Sequence, residues 1–360
     1  MANPPSGSSG DRPDQDSPDA PGSGREGLAP SPAMGQADPE SPHDEADIES
    51  KYSVEKQLDF SEKSYSQGQL VRRRFFRHKG AMIGLAVLIG VTILAYSSIG
   101  TSTFPGWWDK SYRSGAMVVD GGRPTLSLFP PTWGEYPFGQ ETTGKDYFAL
   151  TMRGTQQSLL VAFAVGVGST IIGVAVGALA GFYRGRVEAV LMRATDLFIV
   201  IPLLVLAATM SKSLGGGIWG ISFVLSILVW TGLARLVRGE VLSLREREFV
   251  TAAEAIGTPS GRIIFKHILP NTIGTIIVSA TLTIAVAILL ETSLSFLGFG
   301  IRPPDSSLGQ LISTYQTAFQ TRPWLFWWPG MMILAIALSV NFIGDGLRDA
   351  FDPRQSRGED

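Results

Sequence analysis

SLLVAFAVGVGSTIIGVAVGALAGF, residues 158–182, runs 25 residues without a charged side chain. At about 1.5 Å of helical rise per residue, a run of this length crosses the roughly 30 Å of hydrocarbon in a bilayer. Five further uncharged windows accompany it, at 80–100, 197–211, 213–234, 271–290 and 323–344. A central Arg or Asp costs about 2.5 to 3.5 kcal/mol on insertion, whereas each Leu, Ile, Val or Phe returns only about 0.3 to 0.6. One buried charge would therefore cancel several aliphatics, and these windows carry none. The expected fold is an all-α membrane protein with six transmembrane helices. The window at 197–211 is short and can borrow residues 191–195, which leaves Asp196 at the membrane edge or facing a protected interior.

Within 158–182, Gly173, Gly177 and Gly181 repeat at four-residue spacing, a small-residue stripe that lets another helix backbone come close. The same stripe also describes a flexible glycine-rich helix with no fixed partner. Pro202 removes one backbone hydrogen bond from the third window, and a kink is expected there.

Outside the windows the composition changes abruptly. Residues 1–50 hold 11 acidic residues against 2 basic, with no aromatic side chain. Such a stretch buries too little apolar surface to offset its ordering entropy, so 1–65 reads as a disordered acidic tail rather than a secretory signal. Residues 66–110 then form an N-terminal segment with the first transmembrane helix, 111–153 an extracytoplasmic loop, and 154–350 the membrane core, with a cytoplasmic loop at 235–270.

Chemistry is sparse. The absence of cysteine excludes thiolate metal sites and cysteine nucleophiles, and His43, His78 and His267 lie far apart, so neither a metal site nor a catalytic constellation is expected. With the N-terminus inside, the inner segments carry 17 Lys and Arg and the outer ones 8, which puts both termini in the cytoplasm.

The loop at 235–270 is far longer than a helix turn requires. Phe249, Ala253 and Ile256 fall at i, i+4 and i+7 against Arg245, Glu246, Arg247, Glu248 and Glu254, which predicts an amphipathic helix ended by Gly257. Thr258-Pro259 reads as an N-cap followed by proline in the first turn. A second short helix then carries Ile264, Phe265 and Ile268 on one side. The pair forms either a rigid projection or helices lying on the membrane surface.

Here the chain resembles the permease subunits of ABC importers, whose loop carries a Glu-Ala-Ala motif, a glycine and a later Leu-Pro. Thr251-Ala252-Ala253, Gly257 and Leu269-Pro270 occupy that pattern, with Thr251 where the motif has glutamate, and the resemblance makes these residues, with Glu254 and His267, the loop that couples to the ATPase. The resemblance extends over 69–353 to the C-type subunit of the dipeptide/oligopeptide branch. It runs through Arg72-Arg73-Arg74-Phe75, Pro137-Phe138-Gly139, Leu236-Val237-Arg238-Gly239, Arg262 to Asn271, Leu294 to Gly298 and Gly344 to Asp349.

That resemblance implies the type-1 importer permease fold and a multi-pass place in a bacterial cytoplasmic (inner) membrane. It implies a second homologous permease subunit, two cytoplasmic ATPase subunits that hydrolyse ATP, and an extracytoplasmic solute-binding protein delivering peptide. It implies contact with membrane lipid and none with nucleic acid, and no cofactor in this chain. The branch also takes nickel chelates and glutathione. An ion-gradient-driven transporter is a rival reading, though no internal repeat or midplane charge accompanies it.

Two features remain. Gly139 to Lys145 fits the first seven positions of a phosphate-cradling loop, but Asp146 stands where a Ser or Thr would ligate magnesium, so a structural turn before the second span is expected. Asp196 and Glu291 flank apolar runs and are candidates for the pathway; Arg193 is the expected partner of Asp196, and Glu291 is expected on a pore-facing side.

Overall fold

The computed structural model describes residues 67–352 apart from 102, 129 and 304, so the 1–65 tail lies outside the described residues. Helices α1 (Gln67–Arg77) and α2 (Lys79–Ser98) meet at His78. His78 caps α2 by accepting from the Ala81 amide at 3.0 Å through Nδ1, and its Nε2 lies 3.4 Å from Asp349. A loop containing the hairpin β1 (Ser127–Leu128) and β2 (Pro131–Thr132) leads to α3 (Tyr147–Tyr183). Next come α4 (Gly185–Val200), α5 (Leu203–Ser213), α6 (Ile218–Val229), α7 (Thr231–Arg245), α8 (Glu248–Ala255) and α9 (Ser260–Ile263). After a π turn at Ile264–Ile268, α10 (Leu269–Phe296), α11 (Leu308–Tyr315) and α12 (Trp324–Phe351) complete the chain.

Among the described residues, four helical stretches are long and apolar enough to cross a membrane, namely Lys79–Ser98, Tyr147–Tyr183, Ser260–Phe296 and Trp324–Phe351. The α4–α5 and α6–α7 pairs bring the number to six if each is one span. Neither pair is straight. α4 and α5 turn by 92° at Pro202, which has no amide to continue the ladder, and α6 and α7 bend by 43° at Trp230. Gly215, Gly216 and Gly217 all take positive φ and delay α6 until Ile218, five residues after the uncharged window opens.

α3 is the axis of the fold. Its 37 residues span about 55 Å, well beyond the hydrocarbon thickness. It starts eleven residues before the uncharged window, because Asp146 accepts from the Ala149 amide at 2.6 Å and loop aromatics bury the first turns. Phe148 sits 5.0 Å from both Trp108 and Phe138, and Phe138 stacks on Trp328 at 3.9 Å. Further along, Val161 and Val165 join Ile221, Leu225, Ile288 and Ile336 in the central core, and Phe182 joins Val237, Val241 and Ile268 in a third cluster.

The glycine stripe lies against α7. A Cβ on Gly173 would come within 3.0 Å of the Trp230 carbonyl, one on Gly177 within 2.5 Å of the Ala234 carbonyl, and one on Gly181 within 2.8 Å of Val241 Cβ. Gly84 meets the Ser339 carbonyl of α12 in the same way, at 2.7 Å. Association of apolar helices inside lipid gains little from the hydrophobic effect, so close backbone approach and dispersion hold them together.

The Gly139–Lys145 segment is a closed turn. Gly139 and Gly144 both have positive φ, the Glu141 amide donates to the Lys145 carbonyl at 3.1 Å, and a Cβ on Gly144 would sit 1.7 Å from the Ala116 carbonyl. The Gln140 and Gly144 amides donate to the Gly122 and Glu141 carbonyls at 3.0 Å each, and Asp146 caps α3.

Substituting Gly177→Leu forces α3 and α7 apart at the tightest point of the seam. Overpacking of this kind costs about 1 to 3 kcal/mol. A lowered thermal midpoint of the detergent-solubilised chain is expected, with Leu179→Ala on the exposed side of the same helix close to wild type.

Candidate functional site

The 235–270 segment is rooted in the body and bare at its surface. Arg245, the last residue of α7, donates to the Phe182 carbonyl, stacks 5.3 Å over the Phe182 ring and reaches Glu254 at 4.0 Å. Arg184 pairs with Glu246 at 2.6 Å, and Arg238 Nε donates to Glu188 at 2.7 Å. These contacts fasten the end of α7 to the α3–α4 corner, where Arg184 itself takes a positive φ of 51°. Sequence reasoning placed Arg245 among the solvent charges. Its partner Phe182 is 63 positions away, and no local pattern marks it.

α8 ends in a Schellman closure: the Gly257 amide donates to the Glu254 carbonyl at 3.0 Å and the Thr258 amide to the Ala253 carbonyl at 3.1 Å. Gly257 has φ of 78°, and a Cβ there would meet nothing within 4 Å. Thr258 does not cap the next helix. Pro259 takes that place, its carbonyl accepting from Arg262 and Ile263 at 2.9 and 3.2 Å.

The expected apolar faces are divided differently. Val250 and Ala253 are buried with Ile263, Ile264 and Ile268, whereas Phe249, Ile256 and Phe265 are exposed at 44%, 83% and 74%. Ala253 lies at the seam of its helix, so the body takes Val250 beside it and leaves Phe249 and Ile256 outside. In the wider turn Ile264–Ile268, both isoleucines point inward and Phe265 is turned out. Thr251, Ala252, Glu254 and Gly257 are also exposed, as is Pro270, while His267 and Leu269 are half-buried. The Thr251 hydroxyl donates to Glu248 O at 2.9 Å, and the His267 carbonyl accepts from Asn271 at 2.6 Å.

Asp196 and Glu291 occupy different environments. Asp196 pairs with Arg235 on α7 at 2.5 Å, both side chains half exposed, rather than with Arg193. Pairing along one helix is the simpler reading of the sequence, but α4 lies close enough to α7 for Arg235, 39 positions away, to reach Asp196 instead. Glu291 has no exposed surface. Its two carboxyl oxygens accept from Ser158 of α3 at 2.8 Å and Ser295 of α10 at 2.6 Å. Ser158 Oγ also accepts from the Leu308 amide at 3.3 Å, which draws in the start of α11. No Lys, Arg or His among the described residues pairs with it.

Where α2, α3 and α11 meet the long loop, two cavities of about 670 and 350 Å³ share Tyr112 and Arg113. Arg153 reaches across to Asp305 at 2.7 Å and lies 5.4 Å over the Tyr112 ring. Nearby, burial pushes the Asp146 carboxyl above its ordinary range, opposed by hydrogen bonds from the Ala149 amide and Trp108. Neither cavity was foreseen, since each combines elements far apart in the chain.

Glu291→Leu strands the Ser158 and Ser295 hydroxyls in an apolar core, while Glu291→Gln keeps an acceptor and similar volume. Unsatisfied buried polar groups cost about 1 to 3 kcal/mol each. Limited proteolysis of the solubilised variants is expected to show a loosened α11 region for Leu and near-native protection for Gln.

Residues 173–357 match the family model described as binding-protein-dependent transport system inner membrane component, and 66–104 match the N-terminal TM domain of oligopeptide transport permease C. The oligopeptide transport system permease protein OppC of Mycobacterium tuberculosis is 38% identical over 291 residues, covering 80% of this chain and 95% of its own. OppC of Haemophilus influenzae is 36% identical over 286 residues, covering 79% and 88%. A Brucella ovis protein named as a peptide permease is 38% identical over 294 residues, covering 80% and 92%. A chain of the inward-facing methionine ABC transporter MetNI superposes with a TM-score of 0.48 at 20% identity, covering 56% of this chain and 97% of its own. With family models over both its first span and its core, and relatives aligned across four-fifths of its length, the chain belongs to the binding-protein-dependent inner membrane components of ABC importers, in the OppC-type permease branch.

Proposed function

We propose that this chain is one of two related permease subunits in an ATP-driven peptide importer. Its α8–α9 projection docks on a cytoplasmic ATPase subunit, and a solute-binding protein delivers peptide on the opposite side. Both termini lie in the cytoplasm on this reading, in keeping with the excess of Lys and Arg in the segments assigned inside. The permease names of the relatives support peptide as cargo.

The observation that carries the proposal is the division within the projection. Val250, Ala253, Ile263 and Ile268 root it in the body, while Phe249, Ile256 and Phe265 stand exposed. Three large apolar side chains on a polar, well-braced loop are suited to a protein groove, where burial supplies docking energy and the surrounding charges set register. The brace makes the loop a lever: closing of the ATPase dimer would move α8 and α9, and Arg245 with the α3–α7 seam would pass that displacement into the membrane helices. Asp196 and Glu291 belong on this reading to parts that shift as the path opens, Asp196 on the bent α4 and Glu291 where α3, α10 and α11 meet.

Ile256→Asp combined with Phe265→Asp changes only exposed side chains, so the chain still inserts and folds. Anchors of this type carry about 2 kcal/mol or more. Co-purified ATPase subunit is expected to fall at least tenfold, and full retention sinks the docking assignment.

Gly257→Val tests the lever separately from the grip. A β-branched residue in the left-handed region costs about 1 to 2 kcal/mol, and it reshapes the corner between α8 and α9. In reconstituted vesicles, peptide uptake per ATP hydrolysed is expected to drop while the ATPase remains bound. Unchanged coupling refutes the role of the corner.

A further inference from the structure

At the membrane end where the chain leaves the 235–270 loop, α1, the start of α10 and the end of α12 enclose a groove of about 720 Å³. Its walls are of two kinds. Leu70, Ile273, Leu347 and Phe351 make an apolar side, and Arg72 and Arg74 supply guanidinium groups from α1.

The groove is preformed. Arg74 donates to the Asp352 carbonyl at 3.1 Å, and His78 lies 3.4 Å from Asp349, so α1 is held against the end of α12. A Cβ on Gly346 would come within 2.3 Å of Ala81 Cβ, and one on Gly274 within 2.7 Å of the Phe351 ring. Those approaches fix α2 and α10 against α12 and leave the space between α1 and α10 open.

Arg72 has no ion pair or hydrogen bond among the described residues, and its side chain is exposed. Ile273, one turn into α10, is 48% exposed on the opposite wall. α2 follows α1 with Ile83, Val87 and Ile93 exposed, an apolar surface suited to lipid.

We propose that this groove binds an anionic glycerophospholipid, with its phosphodiester on Arg72 and Arg74 and an acyl chain along Leu70, Ile273 and Leu347. An anionic headgroup answers the unpaired guanidinium, and an acyl chain answers the apolar wall; a soluble phosphate would satisfy only the first. Basic pockets between membrane helices are built for this combination. Binding here fastens α1 beside the first residues after the loop, so the lipid braces the same end of α10 from which the projection emerges.

The test is native mass spectrometry of the full-length chain in detergent, titrated with phosphatidylglycerol, phosphatidylcholine or glycerol phosphate. Phosphatidylglycerol is expected to be retained at least fivefold better than phosphatidylcholine, and glycerol phosphate not at all. Arg72→Glu is expected to lower phosphatidylglycerol retention about fivefold or more, since each basic residue near a charged lipid surface contributes roughly that factor. Ile273→Trp, which fills the apolar side without altering charge, is expected to lower it as well. Both positions are exposed, and an unchanged thermal midpoint verifies that each variant is folded. Equal retention of the two lipids overturns the proposal, as does full retention by Arg72→Glu. Equivalent binding of glycerol phosphate overturns it in favour of a simple phosphate site.

Discussion

The seam between α3 and α7 governs the rest of the structure. Where Gly173, Gly177 and Gly181 present no side chain, the carbonyls of Trp230, Ala234 and Arg238 come to within 3 Å of where a Cβ would stand. Two backbones this close leave no slack for sliding, because any axial shift drives a glycine gap against Leu233, Val237 or Val241. α7 is therefore set in register by α3. It continues to Arg245, where the loop begins, so the position of α8 is inherited from a contact within the helix bundle.

Charge completes what the glycines start. Glu188 and Arg238, Asp196 and Arg235, and Arg184 and Glu246 pair along the same edge, all of them between the α3–α5 stretch and α7 or its end. Each half-exposed pair is worth little alone, about 0 to 1 kcal/mol. Their joint effect is orientation, since three pairs hold α4 and the α3–α4 corner beside α7 and its end.

Local chemistry was legible and distant chemistry was not. The uncharged windows located the four helices long and apolar enough to cross a membrane alone, Pro202 marked the sharp bend, and Gly257 marked the end of α8, because each depends on residues within a few positions. The start of α3 escaped notice because hydropathy reports exposure to lipid, and its first turns are buried by loop aromatics instead. Periodicity grouped Phe249 and Ile256 with Ala253, and Phe265 with Ile264 and Ile268, since it identifies apolar residues without knowing what will cover them. The Arg235 partner of Asp196, the Phe182 partner of Arg245 and the Ser158 partner of Glu291 lie 39, 63 and 133 positions away, beyond any pattern within a single helix.

Those mis-sorted residues are the informative ones. A polypeptide that only needed to fold would bury Phe265 with its isoleucine neighbours, yet the π turn holds Ile264 and Ile268 in and puts the ring out. The same holds for Ile256, 83% exposed just past α8 and immediately before the glycine that shapes the corner. The contacts of Arg245 with Phe182 and Glu254 do not involve these exposed apolar side chains, so the segment is braced without them. Root and tip are consequently separable: the root belongs to the core of this chain, and the exposed tip is the part that the proposed docking would cover.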